Sequence, residues 1–594
     1  TNKDDGLISF WTSSSGPTLV ERMRIDASGD AGIGTSVMDA KLNVETAASA
    51  GISYPLDIRN PQNAAGTGAG AMLRIHSTTD ANRGVGIASL STANYSTDNS
   101  MLFYTSASST LTERMRIDSS GNIIIANTGG TLYTTTAGAS NFRAGVNAGN
   151  SIASGSNYNV LIGDEAGTAL NAGDYNVAIG YQAGMTLNAG SVNTIVGALA
   201  GDAATDVDYM VAIGISSQTN NVSSNYNTSV GGNTMLGVLT DADGYNTTVG
   251  YNGLRDLTAG EKNTVVGGLA GDALTEGGFN AVLGAEALTL DTKGTGSIAI
   301  GRAALETQNF TSATTTENVA VGNQAGLSNL TGTAATFIGH YSGRFATTAD
   351  ATTFVGANAG RGITGTKLTG NNNTAIGTSA GLVLQGAANG NTLVGSSAGS
   401  VLTTGTDNNF MGVSAGSNVT TGGGNIIIGN SDGQAADVAH QIIMGNSVVG
   451  VGQDQFTFGR AGTDSNIAFG ATSITAPSDQ RYKEDIADAT AGLAFIKDLR
   501  PVTFKWRKEK DVPSDHPSYV EGSDTRVMND YTNHGFIAQE VKTAIDAHSE
   551  IKDGFDMWSE QGSGGRQRLG PSSLIPILVK AIQELEARIA VLEG

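Results

Sequence analysis

Between about Asn157 and Val449 the hydrophobic pattern is a short alternation that returns at a nearly fixed interval. An aliphatic residue or Met stands directly before a glycine at positions 163, 180, 197, 214, 231, 250, 267, 284, 301, 322, 339, 356, 377, 395, 412, 429 and 445. Eleven of the sixteen spacings are 17 residues, the mark of a stacked-repeat fold. The unit Asn176-Val177-Ala178-Ile179-Gly180 reads as a short strand with alternate residues on opposite faces. Asn stands four before the glycine in twelve of the seventeen copies, where it can satisfy backbone groups at a corner or tolerate a left-handed conformation. The glycines supply turn dihedrals closed to other residues, and pairs such as Ala166-Gly167 and Ala183-Gly184 let neighbouring backbones approach closely. One repeat cannot bury its own apolar side, so the repeats must stack. One rung per repeat at about 4.8 Å predicts a rod of roughly 80 Å.

The flanks carry different patterns. Residues 1–150 repeat one phrase: Phe10-Trp11-Thr12-Ser13 leads to Glu21-Arg22-Met23-Arg24-Ile25-Asp26, and Phe103-Tyr104-Thr105-Ser106 leads to Glu113-Arg114-Met115-Arg116-Ile117-Asp118. Each copy predicts a strand entering a hairpin-like turn, at Ala27-Ser28-Gly29-Asp30 and Ser119-Ser120-Gly121-Asn122, and its arginines read as a solvated strand face rather than a receptor patch. Residues 151–477 hold the repeat rod, and 478–594 alone read as an ordinary α/β domain. In that last domain the pattern predicts a short helix over Leu493–Leu499, a strand over Pro501–Trp506, a polar loop over Lys508–Asn533 and a helix over Ala538–Ala547. Ile575, Leu578, Ile582, Leu585, Ile589 and Leu592 step by three and four, a heptad seam. Ile alternating with Leu locally favours two strands, while Val579 and Ala581 widen the apolar face enough for a higher order.

Composition narrows the function. The 594 residues include no cysteine, which removes disulfides and thiolate metal sites. A net charge of −21 argues against nucleic acid as a partner, and no apolar run is long enough for a membrane span. Of 82 glycines, 73 precede Ser478, and no proline occurs between Gln62 and Ala476, as continuous sheet requires. The chain begins at Thr1 without a signal-peptide pattern, so a virion-attachment region is expected to precede it. Longer intervals at Gly231–Gly250, Gly301–Gly322 and Gly356–Gly377 mark surface loops, first candidates for a receptor-binding face. Within the first, Asp241-Ala242-Asp243-Gly244 is only a fragment of a calcium loop, so no metal or other cofactor is expected.

Three segments in order, Ser478-Asp479-Gln480-Arg481-Tyr482-Lys483, Leu499-Arg500-Pro501-Val502-Thr503-Phe504-Lys505-Trp506 and His534-Gly535-Phe536-Ile537-Ala538-Gln539-Glu540-Val541, followed by the heptad helix, closely resemble the intramolecular chaperone domain that ends many phage tailspikes, tail fibres and endosialidases. The N-terminal phrases are similar to those of phage tail-fibre shafts. The Asn176–Gly180 and Ser297–Gly301 units resemble the head repeats of trimeric autotransporter adhesins, which favours strands wound around or beside a threefold axis. Together these resemblances imply a mostly β chain: a trimeric β-solenoid or β-prism rod with a C-terminal α/β chaperone domain. They imply a virion adsorption protein, made in the host cytoplasm and working outside it. Its partners would be its own two copies, other virion tail proteins and a host cell-surface glycan or protein receptor.

The same resemblance implies a self-cleaving serine peptidase acting on its own chain. Ser478 would be the nucleophile, Lys483 its general base and Pro477–Ser478 the scissile bond, with Leu578, Ile582, Leu585, Ile589 and Leu592 holding the trimer. Ser–Lys dyads are a known variant of the serine triad, provided the lysine is neutral. Desolvation or a nearby cation achieves that, and Arg481 stands close in sequence. Spacing alone does not pair the two, since positions five apart share neither a helix face nor a strand face. They must meet in a turn, or Lys483 must come from a neighbouring chain. His534 and Glu540 are alternative bases, and a plain capped turn is the non-catalytic alternative. A bacterial trimeric surface adhesin and a glycan-depolymerising tailspike are the competing functions; the latter needs two carboxylates across a cleft.

Overall fold

The computed structural model describes residues 6–13, 16–27, 30–33, 42–44, 70–75, 85–91, 99–107, 110–124, 137–240, 243–561 and 565–594, in two compact units, Thr1–Thr475 and Ala476–Gly594. The two N-terminal phrases form matching sheets. Ile8–Thr12 pairs antiparallel with Val20–Ile25, as Asn99–Ala107 does with Thr110–Ile117, and the register shifts at Phe10/Trp11 in one and Phe103/Tyr104 in the other. The hairpin-like turn is present in the second copy, where the Asp118 carboxylate accepts from the backbone N–H of Ser120 at 3.0 Å and of Asn122 at 2.8 Å. Ser28 and Gly29 of the first lie outside the described residues. Arg24 bonds Glu21, and Arg116 bonds Glu113, within their own strands. Arg24 and Arg116 are thus paired within their own strands.

The repeat array is a β-solenoid of parallel rungs. From Phe142–Ala144 through Val160–Ile162 and Val177–Ile179 to Ile442–Asn446 and Gln455–Arg460, each short strand pairs in register with the next. Each rung is one repeat, as the spacing predicts, and the rungs stack within a single chain. The middle residue of each strand points inward: Ala178, Ile195, Val265, Phe337 and Phe410 are buried while their neighbours face outward. The anchor glycines have φ between 102° and 156°, for example Gly180 at 137° and Gly197 at 139°. A Cβ on Gly284 would meet the Gly301 carbonyl oxygen at 2.5 Å, so both conformation and packing demand glycine there.

The asparagines form an internal ladder, interrupted where Met210, Ser297, Ala335 and Thr352 take their place. Asn263 donates from its backbone N–H and its Nδ2 to Asn246 Oδ1, both at 3.0 Å, and from Nδ2 to the Gly277 carbonyl at 2.9 Å. Its own Oδ1 accepts from the backbone N–H and Nδ2 of Asn280, both at 3.1 Å. Each amide group thus has its donors and acceptor engaged in a fully buried position. The residue before this position is left-handed, not the Asn itself: Tyr158, Tyr175, Tyr226 and Tyr245, and Tyr209 before Met210, have φ between 49° and 59°, and a second left-handed residue stands two after the glycine, as Glu165 at 57° and Gln182 at 55°. These tyrosines are exposed, and pairs such as Tyr226–Tyr245 stack at 4.7 Å.

Two rungs escape the sequence pattern. Phe142–Ala144 ends at Gly145, φ 138°, and Gln455–Arg460 contains Gly459, φ 134°. Neither follows the 17-residue interval, being 18 before Gly163 and 14 after Gly445. The core also changes character near rungs 214 and 231. There Ser217, Gln218, Asn221, Ser229 and Thr234 are buried and bonded to one another, separating two hydrophobic clusters. At the far end Ser465–Ala468 pairs antiparallel with Gln455–Arg460, reversing the direction of the stack.

Replacing Asn263 with Ala strands the Gly277 carbonyl and the Asn280 backbone N–H inside the rod and leaves Asn246 Oδ1 with only the backbone N–H of residue 263. Unsatisfied buried groups cost about 1–3 kcal/mol each. We expect a loss of several-fold or more in amide-exchange protection at the rungs of Thr264 and Ala281, whereas the exposed Tyr245→Ala leaves that protection within about twofold.

Candidate functional site

The C-terminal unit is built around three helices: α1 (Leu493–Asp498), α2 (Ala538–Ala547) and α3 (Leu574–Glu593). All three agree with the sequence pattern to within one residue. Phe495, Val541, Ala544, Ile545, Met557, Leu574 and Ile577 form its core. Val502–Phe504 pairs antiparallel with Asn533–Gly535, and Trp558–Glu560 with Gln567–Leu569. The second hairpin was not foreseen, because three-residue strands are too short to show a period.

Ser478 stands near the start of this unit, and a turn brings Lys483 to it. Asp479 caps the 3₁₀ turn Gln480–Tyr482, its carboxylate accepting from the Arg481 backbone N–H at 2.8 Å. The Lys483 N–H then donates to the Gln480 carbonyl at 3.1 Å, which folds the chain back. As a result Lys483 Nζ donates to Ser478 Oγ at 2.6 Å within one chain. The capped turn expected as a non-catalytic alternative is thus the device that pairs the two residues. Both side chains are exposed.

Arg481 turns to Asp479. Its guanidinium bonds both Asp479 oxygens, at 2.6 Å for the closest pair, which holds the Asp479 carboxyl below its ordinary value. Glu540, an alternative base, bonds the Arg500 guanidinium, which lowers its pKa and makes it a poorer proton acceptor. His534 lies exposed in the strand paired with Thr503.

Helix α3 has two distinct faces. Leu574, Ile577 and Ala581 are buried against the domain core, and Glu584 accepts from the Leu493 N–H at 2.9 Å, capping α1. Ala581 therefore belongs to the inner face and does not widen the seam. Leu578, Ile582, Leu585, Ile589 and Leu592 are 41% to 85% exposed along the opposite stripe.

A further cluster, not foreseen from sequence, joins α1 to the end of α2. His548 Nε2 lies 2.9 Å from Asp498 and Nδ1 2.9 Å from Glu550, and the ring packs edge-on against Phe495. With only 12% of the side chain exposed and a carboxylate on each nitrogen, Asp498 first, the imidazolium is favoured and the pKa rises. The only sequence signal was a histidine between two acidic residues.

In the rod, Asp243, Glu261, Glu276, Phe279 and Thr295 line an open groove of about 530 Å³. Lys262 holds Glu261 at 3.0 Å, and Lys293 holds Glu276 at 2.7 Å. Asp241 and Ala242 of the calcium-loop fragment lie outside the described residues, while Asp243 accepts from Asn225 Nδ2 at 3.3 Å. No helix among the described residues is long and apolar enough to cross a membrane.

Residues 478–549 match the family model described as the chaperone of endosialidase. A β-solenoid of about 19 turns followed by such a domain is consistent with a tailspike or tail fibre carrying a C-terminal chaperone. No curated protein matches the chain.

The His548 pair fixes a pH dependence. Because the folded-state pKa is raised, its stabilisation is complete below the unfolded value of about 6.5 and is lost as pH rises through the folded value. Stability of the C-terminal unit, followed by tryptophan fluorescence, should therefore fall between neutral and mildly alkaline pH. In His548→Phe that slope should flatten.

Proposed function

We propose that the chain is a phage adsorption protein whose residues 478–594 drive assembly of a parallel homotrimer and are then released by hydrolysis before Ser478. The observation that carries the reading is the 2.6 Å contact between Lys483 Nζ and Ser478 Oγ, at the residue where the chaperone-family match begins. Near-identical rungs can pair out of register between chains, so a rod of this kind needs a nucleus. The exposed stripe of α3 supplies the face for one: Leu578, Ile582, Leu585, Ile589 and Leu592 seat against the same residues of the other copies.

Cleavage follows from the turn. Lys483, once neutral, takes the Ser478 Oγ proton as Oγ adds to the Pro477 carbonyl carbon. The C–N bond breaks, the Ser478 nitrogen leaves as a protonated amine, and an ester joins Pro477 to Oγ. Water then hydrolyses the ester, giving the Pro477 carboxylate and a free Ser478 hydroxyl. Removal from water favours the neutral amine, and the site is open in one chain. Burial by neighbouring chains in the trimer supplies that desolvation, so cleavage waits for assembly. Receptor contact, to a host cell-surface glycan or protein, falls on the longer loops of the rod, with other tail proteins joining the N-terminal side.

Mass spectrometry of the purified protein is expected to show a 117-residue fragment from wild type and none from Ser478→Ala or Lys483→Ala. Persistent cleavage in Ser478→Ala refutes the assignment. Leu585→Asp with Ile589→Asp should yield monomeric or insoluble chains without cleavage. A soluble, processed trimer from that double variant removes the seam from the assembly role.

A further inference from the structure

The rod between rungs 322 and 395 reverses the charge balance of the chain. Residues 318–406 contain Arg344, Arg361 and Lys367 but a single acid, Asp350, in a chain of net charge −21. The basic residues on rungs 250 to 301 are all paired: Arg255 with Asp256 and Asp272, Lys262 with Glu261, Lys293 with Glu276, and Arg302 with Glu286. Among the described residues, Arg344, Arg361 and Lys367 make no ion pair.

Arg344 and Arg361 occupy one column. Each stands five residues after an anchor glycine, Gly339 and Gly356, on strands paired in register as Thr336↔Thr353 and Ile338↔Val355. The Phe345 N–H donates to the Arg361 carbonyl at 2.9 Å, so the two arginines sit on directly successive turns, about 4.8 Å apart along the rod. Like charges stacked at that spacing repel. Arg344 lies over the Tyr341 ring at 4.6 Å and the Phe345 ring at 5.0 Å, and the Nε atoms of both arginines are buried without a protein partner. The loop that lengthens this turn leaves at Arg361 and returns at Leu368, whose N–H donates to the Phe345 carbonyl at 3.0 Å. Lys367 therefore stands at the loop's return beside the same column.

We propose that this column binds a carboxylate or phosphate group carried by an acidic polysaccharide. Two stacked guanidinium groups can share one oxyanion, whose charge relieves their mutual repulsion. Exposed His340, Thr366 and Thr369 add polar groups suited to sugar hydroxyls. A nucleic acid strand carries a charge at every nucleotide and, followed along this column, would run onto Glu306, which also stands five residues after its anchor glycine. Acidic groups spaced by neutral sugars avoid that. The site deepens the adsorption reading but is tested without it, because binding of a defined polymer is independent of trimer processing and of host cells.

The experiment measures binding of the intact protein to polygalacturonate, neutral dextran and inorganic phosphate at low and high salt. Polygalacturonate is expected to bind in a salt-sensitive way and dextran not to bind. Arg344→Gln and Arg361→Gln should each weaken polygalacturonate by about tenfold, the loss of a charge-assisted contact, while Arg302→Gln leaves it unchanged. Arg361→Glu should raise the melting temperature by pairing with Arg344 and abolish binding. Equal binding by wild type and Arg361→Glu, or equal binding of dextran and polygalacturonate, overturns the site. Phosphate binding without polygalacturonate binding overturns the polysaccharide assignment.

Discussion

The rod depends on the internal asparagine ladder. A carboxamide sealed in a solenoid has nowhere to turn except to the rung above, the rung below and the carbonyl at the end of its own turn. The Nδ2-to-carbonyl reach is 14 residues at Asn159, Asn176, Asn193, Asn246, Asn263 and Asn280 alike. That constraint keeps the number of residues from Asn around to the carbonyl fixed and forces extra residues into loops. Where the interval lengthens, the bonding changes: Asn227 turns its amide to Ser224 within its own rung, and Asn373 reaches 15 residues to Ala388. The asparagines thus do for register what side-chain volume does for an ordinary core.

Much of this was legible because the repeat is written in residue types with few substitutes. The glycine column could be read directly, since its backbone angle and the carbonyl of the next rung exclude any Cβ. The left-handed position was not legible. It is filled by Tyr, Val, Lys, Phe, Glu, Ala, Asn, Asp and His in turn, because the stack around it sets the dihedral and the side chain merely faces outward. The rungs ending at Gly145 and containing Gly459 were hidden by their irregular intervals. The Ser478–Lys483 contact depends on a capped 3₁₀ turn whose effect on residues five apart has no periodic signature. The seam of α3 was visible as a heptad, but which neighbours belonged to it was not. Ala581 looked like seam and proved to be inner face.

The two faces of α3 tie the exposed apolar stripe to the folded core of the same domain. The inner face and Glu584 tie the helix to α1, so the outer stripe is presented at a fixed angle only after the domain has folded. The buried His548 pair, holding α1 to the end of α2, reinforces the same small core. A domain that presents its apolar stripe late exposes less of it to misdirected contacts.

The reversed last strand has a consequence for how rods meet one another. A stack of short parallel strands at about 4.8 Å spacing is geometrically akin to a cross-β template, whose open end invites the next identical strand. Here Ser465–Ala468 lies antiparallel on the last parallel rung, and Asn466 is bridged in turn by Thr475. An incoming parallel rung would find the strand direction inverted at Ser465–Ala468. The parallel stack therefore stops within its own chain, with neither a disulfide nor a proline in the cap.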